Sequence, residues 1–150
     1  MLKATHALDA EANFVASVGR LHLDLLDEDQ QKDRIRAAIE QGTKDIVRLT
    51  PDVLFTAPEQ ILGGLCHWVE YKNTFGFKSN PFLYRKHKAQ IRRYVAAFGP
   101  GLIVYKLGHE ENLFSIEGVQ FCREREVLSW IEGEVAARRT AGEICVSSDS

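Results

Sequence analysis

Residues 50–72 read TPDVLFTAPEQILGGLCHWVEYK, and this stretch decides how the chain folds. It contains two runs rich in β-branched and large apolar residues, a composition typical of β-strands. Charged side chains interrupt both runs, with Asp52 in the first and Glu70 and Lys72 in the second. A charged group in a strand is costly unless it is paired, solvated or bound to a metal. These three residues therefore either lie on a solvated face or form a site.

In the rest of the chain, stretches whose apolar residues have the spacing of a helix alternate with stretches whose apolar residues have the spacing of a strand. A short connection joins the first two strands, so we expect an antiparallel hairpin. The apolar run LIVYKL predicts a central buried strand. This order of elements predicts an α/β fold in which helices flank a mixed β-sheet. The helices are predicted over 7–22, 28–41, 82–98 and 124–139, and the strands over 46–56, 65–76, 102–107 and 113–117.

The composition suits a single domain, which we place at residues 1–140, with 141–150 as a flexible tail. A hydrophobic fraction of 45% is enough for one core, and the net charge of -2 gives no general attraction to nucleic acid or anionic membranes. No apolar run reaches the ~18 residues of a membrane span, so no membrane partner is expected. The N-terminus lacks the apolar core of a secretory signal, and the three cysteines form no CxxC pair. We therefore expect an intracellular protein without a zinc site or disulfide framework.

The charged residues of the opening stretch are suited to phosphodiester hydrolysis. Because side chains alternate along a strand, Glu70 and Lys72 share one face, and strand pairing would bring Asp52 to Glu70. The two carboxylates and the Tyr71 carbonyl offer oxygen ligands to Mg²⁺ or Mn²⁺. A lysine beside them can orient the attacking water and stabilise charge on a phosphate.

Two motifs resemble the PD-(D/E)xK nuclease superfamily: Pro51-Asp52, and Glu70-Tyr71-Lys72. In the next predicted helix, QIRRY places Gln90 and Tyr94 four residues apart, on one helical face. This spacing resembles the Q-x-x-x-Y motif of the RecB-like branch of that superfamily. The resemblance implies a restriction-endonuclease-like core in which Gln90 lies close to the metal and Tyr94 supports the site. An ordinary amphipathic helix is the alternative for these two residues.

A closer resemblance involves four segments in order: LDEDQ, TPDVLF, HWVEYKNTFG and FGPGLIVYKLG. They resemble the TPD-motif family of codanin-interacting nuclease-like proteins, over roughly residues 11–110. The resemblance implies a metal-dependent nuclease located in the nucleus or cytoplasm, and a protein partner as in codanin-type complexes. It also implies that Glu11, in the first helix, is a further metal ligand, whereas a solvated helix glutamate is the alternative. Asp24, Asp27, Glu28 and Asp29 compete with Glu11 as carboxylate donors, but they are interpreted as a helix-start cluster favoured by the helix dipole.

The segment from residue 71 to residue 93 contains no Asp or Glu and many basic residues. It follows the predicted metal site, where a phosphate backbone would lie, and such contacts bind without reading sequence. DNA is favoured over RNA, and a solvated basic helix face is the alternative. Interleaved aromatic residues either stack on bases or pack in the core. The predicted nucleic-acid-binding residues are Lys78, Arg85, Lys86, Lys88, Arg92 and Arg93, and the interleaved aromatic residues are Phe75, Phe77, Phe82 and Tyr84.

Three functional hypotheses follow from these patterns. The first is a metal-dependent nuclease in which Asp52, Glu70, Lys72 and Gln90 are catalytic. The second is a catalytically silent nuclease-fold module that binds a protein partner or nucleic acid. The third is a structure-specific resolvase that acts as a homodimer through residues 113–131.

Overall fold

Five strands in the part of the chain that the structure describes form one mixed sheet in chain order, β1-β2-β3-β4-β5. The structure is a computed structural model that describes residues 2–73, 81–109 and 116–142. No helix in these ranges is long and apolar enough to cross a lipid bilayer. The described elements are α1 (Leu2–Gly19), β1 (Leu25–Asp27), α2 (Glu28–Glu40), β2 (Val53–Ile61), β3 (Gly64–Lys72), α3 (Pro81–Phe98), β4 (Gly101–Tyr105), β5 (Val119–Arg123) and α4 (Glu124–Thr140).

The sheet combines an antiparallel and a parallel half. Strands β1, β2 and β3 are antiparallel neighbours, whereas β4 is parallel to both β3 and β5. Helix α3 connects β3 to β4, which is the crossover that parallel pairing needs. The predicted α/β fold, the hairpin and the central buried strand are thereby confirmed, as are the helices at 28–41, 82–98 and 124–139, each to within one residue at either end.

Helices cover both faces of the sheet. On one face, α1 and α4 pack over Val69, Tyr71 and Val104. On the other face, α3 packs over Trp68, Ile103 and their neighbours. Because side chains alternate along β3, the α3 face also receives Glu70 and Lys72.

The prediction for the first strand is wrong at both ends. Strand β2 begins at Val53 rather than at residue 46, and it continues through Pro58 to Ile61. The turn is Leu62-Gly63, whose φ angles of 53° and 79° suit a two-residue hairpin turn. Pro58 is tolerated because β1 pairs only as far as Phe55 and the β2–β3 register shifts between residues 54 and 59, so the missing N–H breaks no regular ladder.

Other boundaries differ more locally. The first helix spans Leu2–Gly19 instead of residues 7–22, and β4 ends at Tyr105 instead of residue 107. The three-residue strand β1 is not predicted. The edge strand lies at Val119–Arg123, because a turn at Gly118, with φ 83°, precedes it. The predicted strand at 113–117 falls largely on residues outside the described ranges, as do residues 74–76 and the end of the tail.

Candidate active site

Two buried carboxylates meet at the start of the β2–β3 hairpin. Asp52 and Glu70 are 8% and 6% exposed. The backbone N–H of Asp52 donates to Glu70 Oε1 at 3.1 Å, and the N–H of Tyr71 donates to Asp52 Oδ2 at 2.7 Å. Each carboxylate thus accepts a backbone N–H from the neighbouring segment, which fixes both side chains against the sheet. The expected role of the Tyr71 carbonyl stays a prediction.

Helix α3 supplies polar partners for the Glu70 side of the site. Lys72 Nζ lies 3.4 Å from Glu70 Oε2 and donates to Gln90 Oε1 at 3.0 Å. Gln90 Nε2 donates to the Tyr94 hydroxyl at 3.3 Å, and that hydroxyl donates to Glu70 Oε2 at 3.3 Å. Burial and the Glu70 charge raise the pKa of Tyr94, so its hydroxyl keeps the proton that it donates. The four side chains form a closed ring that holds the lysine amine beside the glutamate.

Three carboxylates gather on the other side of Asp52. Oxygen atoms of Glu11, Glu28 and Asp52 all lie within 4.8 Å of one another. Glu11 comes from α1, and its position beside Asp52 agrees with the one implied by family resemblance. These residues also line an open cavity of about 490 Å³ between α1 and the start of α2.

Glu28 is the member of this cluster that the sequence pattern does not predict as a site residue. Asp27 caps α2 and forms a capping box with Gln30, with bonds of 2.8 and 2.9 Å. The first helical residue is therefore Glu28, which lies in the first turn as predicted and also contacts the Asp52 cluster. The capping-box pattern of Asp27 and Gln30 is the sequence signal that could have located Glu28 at the start of α2.

The charge in this cluster is unfavourable without a cation. Burial raises the pKa of Asp52 to about 9, and the neighbouring charges of Glu70 and Glu11 add to the effect, while the Tyr71 N–H opposes it. Oxygen ligands of this kind suit hard divalent cations. The residues therefore fit Mg²⁺ or Mn²⁺, because a bound cation would offset both the burial and the repulsion.

A second set of contacts joins two motifs that are distant in sequence. The Trp68 indole donates to the Gly99 carbonyl at 2.8 Å and makes an edge contact with the Tyr94 ring at 5.1 Å. A Cβ on Gly101 would lie 2.1 Å from that indole, so only glycine allows this approach. The FGPG segment thus supports the strand that carries Glu70.

Gln31 is a further residue that the sequence pattern does not single out. It is 4% exposed, and its Nε2 donates to the Pro51 carbonyl at 2.7 Å and to the Leu26 carbonyl at 3.2 Å. These bonds connect α2 to the residue before Asp52. Gln31 is therefore a positioning residue for the carboxylate.

The predicted nucleic-acid-binding residues occupy the outer surface of α3. Arg85, Lys86, Arg92 and Arg93 are exposed, and Lys88 is half-buried, with Nζ 5.9 Å from the Tyr84 ring centroid. Burial and then the charges of Lys72 and Lys86 lower the pKa of His87, which marks a local positive potential. Phe82 is 70% exposed. Lys78, Phe75 and Phe77 lie outside the described residues.

A family model described as "Protein of unknown function TPD sequence-motif" matches residues 4–133. Three similar curated proteins carry the name CDAN1-interacting nuclease 1. The Gallus gallus and Xenopus laevis proteins are each 38% identical over 64 residues, or 43% of this chain and 23% and 20% of theirs. The Homo sapiens protein is 34% identical over 64 residues, or 43% of this chain and 22% of its own. The chain therefore covers less than a quarter of these relatives, and no solved structure matches it.

Proposed function

The chain belongs to the TPD sequence-motif family, and we propose that it is a metal-dependent nuclease that hydrolyses phosphodiester bonds, with DNA favoured over RNA. One observation carries the proposal, which is the contact between two buried carboxylates and a lysine. The Glu70 carboxylate accepts the N–H of Asp52 and lies 3.4 Å from the Lys72 amine. The Asp52 carboxylate accepts the N–H of Tyr71, the residue after Glu70. The name of the similar proteins, CDAN1-interacting nuclease 1, supports the same function. The proposal includes a PD-(D/E)xK core, in which the β2–β3 hairpin carries the motif and α3 follows it.

Mg²⁺ or Mn²⁺ is the proposed cofactor. Asp52, Glu70 and Glu11 are the proposed protein ligands, and the position of Glu28 adds a fourth carboxylate. When bound, the cation supplies Lewis-acid charge that lowers the pKa of a water nucleophile and neutralises the scissile phosphate. The raised pKa of Asp52 supports this assignment, because the site is poorly suited to remain ionised alone.

Lys72 has the proposed role of positioning the attacking water and stabilising negative charge on the phosphate. Its amine is held by Gln90 Oε1 at 3.0 Å and by the Glu70 carboxylate at 3.4 Å. Because both contacts come from buried or half-buried groups, the amine is preorganised before substrate arrives. Tyr94 fixes the same Glu70 oxygen from the opposite side of the ring.

The basic surface of α3 is proposed to bind the phosphate backbone of the substrate. Its exposed cations lie on the helix whose inner face contributes Gln90 and Tyr94 to the site. Backbone contacts of this type position a duplex or single strand without selecting a sequence. Lys78 is retained in this surface as a prediction from sequence.

The alternative is a module that binds a protein partner or nucleic acid without cutting. The similar proteins are named as CDAN1-interacting, which favours a protein partner of that type. A homodimer through residues 113–131 and a nuclear or cytoplasmic location stay predictions.

The test is cleavage of labelled single-stranded, duplex, flap and four-way DNA, and of matching RNA, in Mg²⁺, Mn²⁺ or EDTA. We expect cation-dependent cleavage that Asp52→Asn and Lys72→Ala abolish. Lys44→Ala, which removes an exposed loop lysine, is the matched control and retains activity. Wild-type protein that binds these substrates or a codanin-type partner, but cuts nothing with either cation, would establish the binding module instead.

A further inference from the structure

A second basic surface lies beside the site, on α2 rather than on α3. An open groove of about 320 Å³ separates α2 from the segment that leads into β2. Three cationic side chains and two isoleucines line it, and its lining contains no carboxylate. In a chain with a net charge of -2 this is a local positive bias. The lining residues of this α2 groove are Lys32, Ile35, Arg36, Ile39, Arg48 and Thr50.

The α2 groove is continuous with the carboxylate cluster. Lys32 Nζ lies 2.8 Å from Glu28 Oε1, and Glu28 belongs to the cluster with Glu11 and Asp52. At the other end, Thr50 is two residues before Asp52 in the chain. A polyanion bound in the groove would therefore reach the proposed metal site directly.

The two arginines of the groove are available to a ligand. Arg36 is paired with Asp33 at 3.4 Å, but the two side chains are 69% and 71% exposed. An ion pair exposed to this degree contributes little to stability. Arg48 is exposed and has no ion-pair partner among residues 2–73, 81–109 and 116–142. Both guanidinium groups can therefore turn to a phosphate at small cost, with bidentate geometry.

We infer that the α2 groove binds the sugar-phosphate backbone of the nucleic-acid substrate, as a second contact surface besides α3. The inference rests on the proposed function, which supplies the polyanion. Charge complementarity and continuity with the cluster favour nucleic acid over an apolar peptide, because three cations line a groove without any carboxylate. The exposed part of Ile39, at 44%, gives the sugars an apolar contact. The scissile phosphate then lies between two basic surfaces on different helices.

The ion pair between Lys32 and Glu28 couples this groove to the metal site. Lys32 shares the Glu28 carboxylate with any cation bound there, so cation binding weakens the pair and leaves Lys32 available to phosphate. Nucleic-acid affinity in the groove consequently increases when the divalent cation is present. This effect is specific to Lys32, since Arg36 and Arg48 do not contact the cluster carboxylates.

The experiment measures fluorescence anisotropy of a fluorescein-labelled DNA duplex, of its single strand and of the matching RNA, over a range of NaCl concentrations. Ca²⁺ replaces Mg²⁺ so that cleavage does not interfere. The variants are Arg36→Gln, Arg48→Gln and their combination, with Arg139→Gln as the matched control on exposed α4 surface. For duplex DNA, we expect the slope of log affinity against log salt to become shallower by up to about 0.9 for each cation removed. The control keeps the wild-type slope.

The outcomes separate the inference from the proposed function. If the wild type binds and cuts DNA but the double variant keeps the same affinity and salt slope, the inference about the α2 groove is overturned and the proposed function stands. A wild-type protein that binds neither DNA nor RNA overturns both. Lys32→Gln tests the coupling: it should weaken binding more in Ca²⁺ than in EDTA, and an equal loss in both would refute the exchange at Glu28.

Discussion

Replacing Asp52 by asparagine should stabilise the cation-free protein, although it should abolish activity. Asparagine cannot ionise, but its side-chain oxygen can still accept the Tyr71 N–H, which is 2.7 Å from the carboxylate in the wild type. The substitution therefore removes the ionisable carboxyl group and keeps the main hydrogen bond. Any gain in stability measures the free energy that the wild type loses because, without a bound cation, its buried carboxyl group must take up a proton on folding.

The magnitude follows from proton linkage. The pKa of Asp52 rises from 3.8 to about 9 on folding, so between these values the folded state binds a proton that the unfolded state has released. A raised folded pKa means that the free energy of unfolding falls as pH rises through this window, at up to about 1.4 kcal/mol per pH unit. Between pH 3.8 and neutral pH, the free energy of unfolding therefore falls by at most about 4 kcal/mol.

The assay is urea unfolding of wild type and Asp52→Asn in EDTA, at pH values from ~5 to ~8. We expect the variant to be more stable, with a difference that grows as pH rises. Added Mg²⁺ should stabilise the wild type by mass action and leave the variant unaffected. Asp45→Asn, at an exposed loop carboxylate, is the control and should show neither effect. Equal stability of Asp52→Asn and wild type across this pH range would refute the reasoning.

Three further changes test the support around the site. Gly101→Ala should lower the free energy of unfolding by about 1–3 kcal/mol, because the new methyl group overlaps the Trp68 indole. Gly133→Ala, with open space around it, should instead raise the free energy of unfolding by about 0.5–1 kcal/mol. Urea unfolding compares the two variants, and equal effects would contradict the packing account. Gln31→Leu should lower the free energy of unfolding by about 1–3 kcal/mol and lower kcat, because the Pro51 carbonyl loses its hydrogen-bond donor. Unchanged stability would show that this hydrogen bond is dispensable. Burial raises the pKa of the Cys66 thiol to about 12, so it should resist alkylation near neutral pH until urea unfolds the protein; peptide mapping by mass spectrometry reads the labelled position, and rapid native labelling would contradict its burial.

The part of the site that lies on adjacent strands could be predicted from the sequence. Alternation along a strand placed Glu70 and Lys72 on one face, and a short connection implied that Asp52 lies nearby. The spacing of Gln90 and Tyr94 placed them on one helical face, and family resemblance supplied the direction in which that face points. The contacts in the structure agree with these placements, while the catalytic roles stay predictions.

The parts that could not be predicted depend on packing between elements. Glu28 and Gln31 reach the site because α2 packs against β1 and β2, and no periodicity in the sequence specifies that orientation. Strand β1 is three residues long, which is too short to show a period. A proline ordinarily argues against a strand, but at Pro58 the pairing with β1 has ended and the pairing with β3 shifts its register. The proline therefore breaks no regular hydrogen-bond ladder, and the sequence alone does not show this.

The packing of Trp68 on Gly101 also makes the site accessible to spectroscopy. The chain has two tryptophans, and they lie on opposite faces of the sheet. Trp68 is fully buried two residues from Glu70, whereas Trp130 packs against the hydrophobic core between the sheet and helices α1 and α4. In Trp130→Phe protein, the remaining fluorophore therefore reports on the α3 side of the sheet alone. Its emission would respond to changes around Glu70 and Tyr94, without any label attached to the protein.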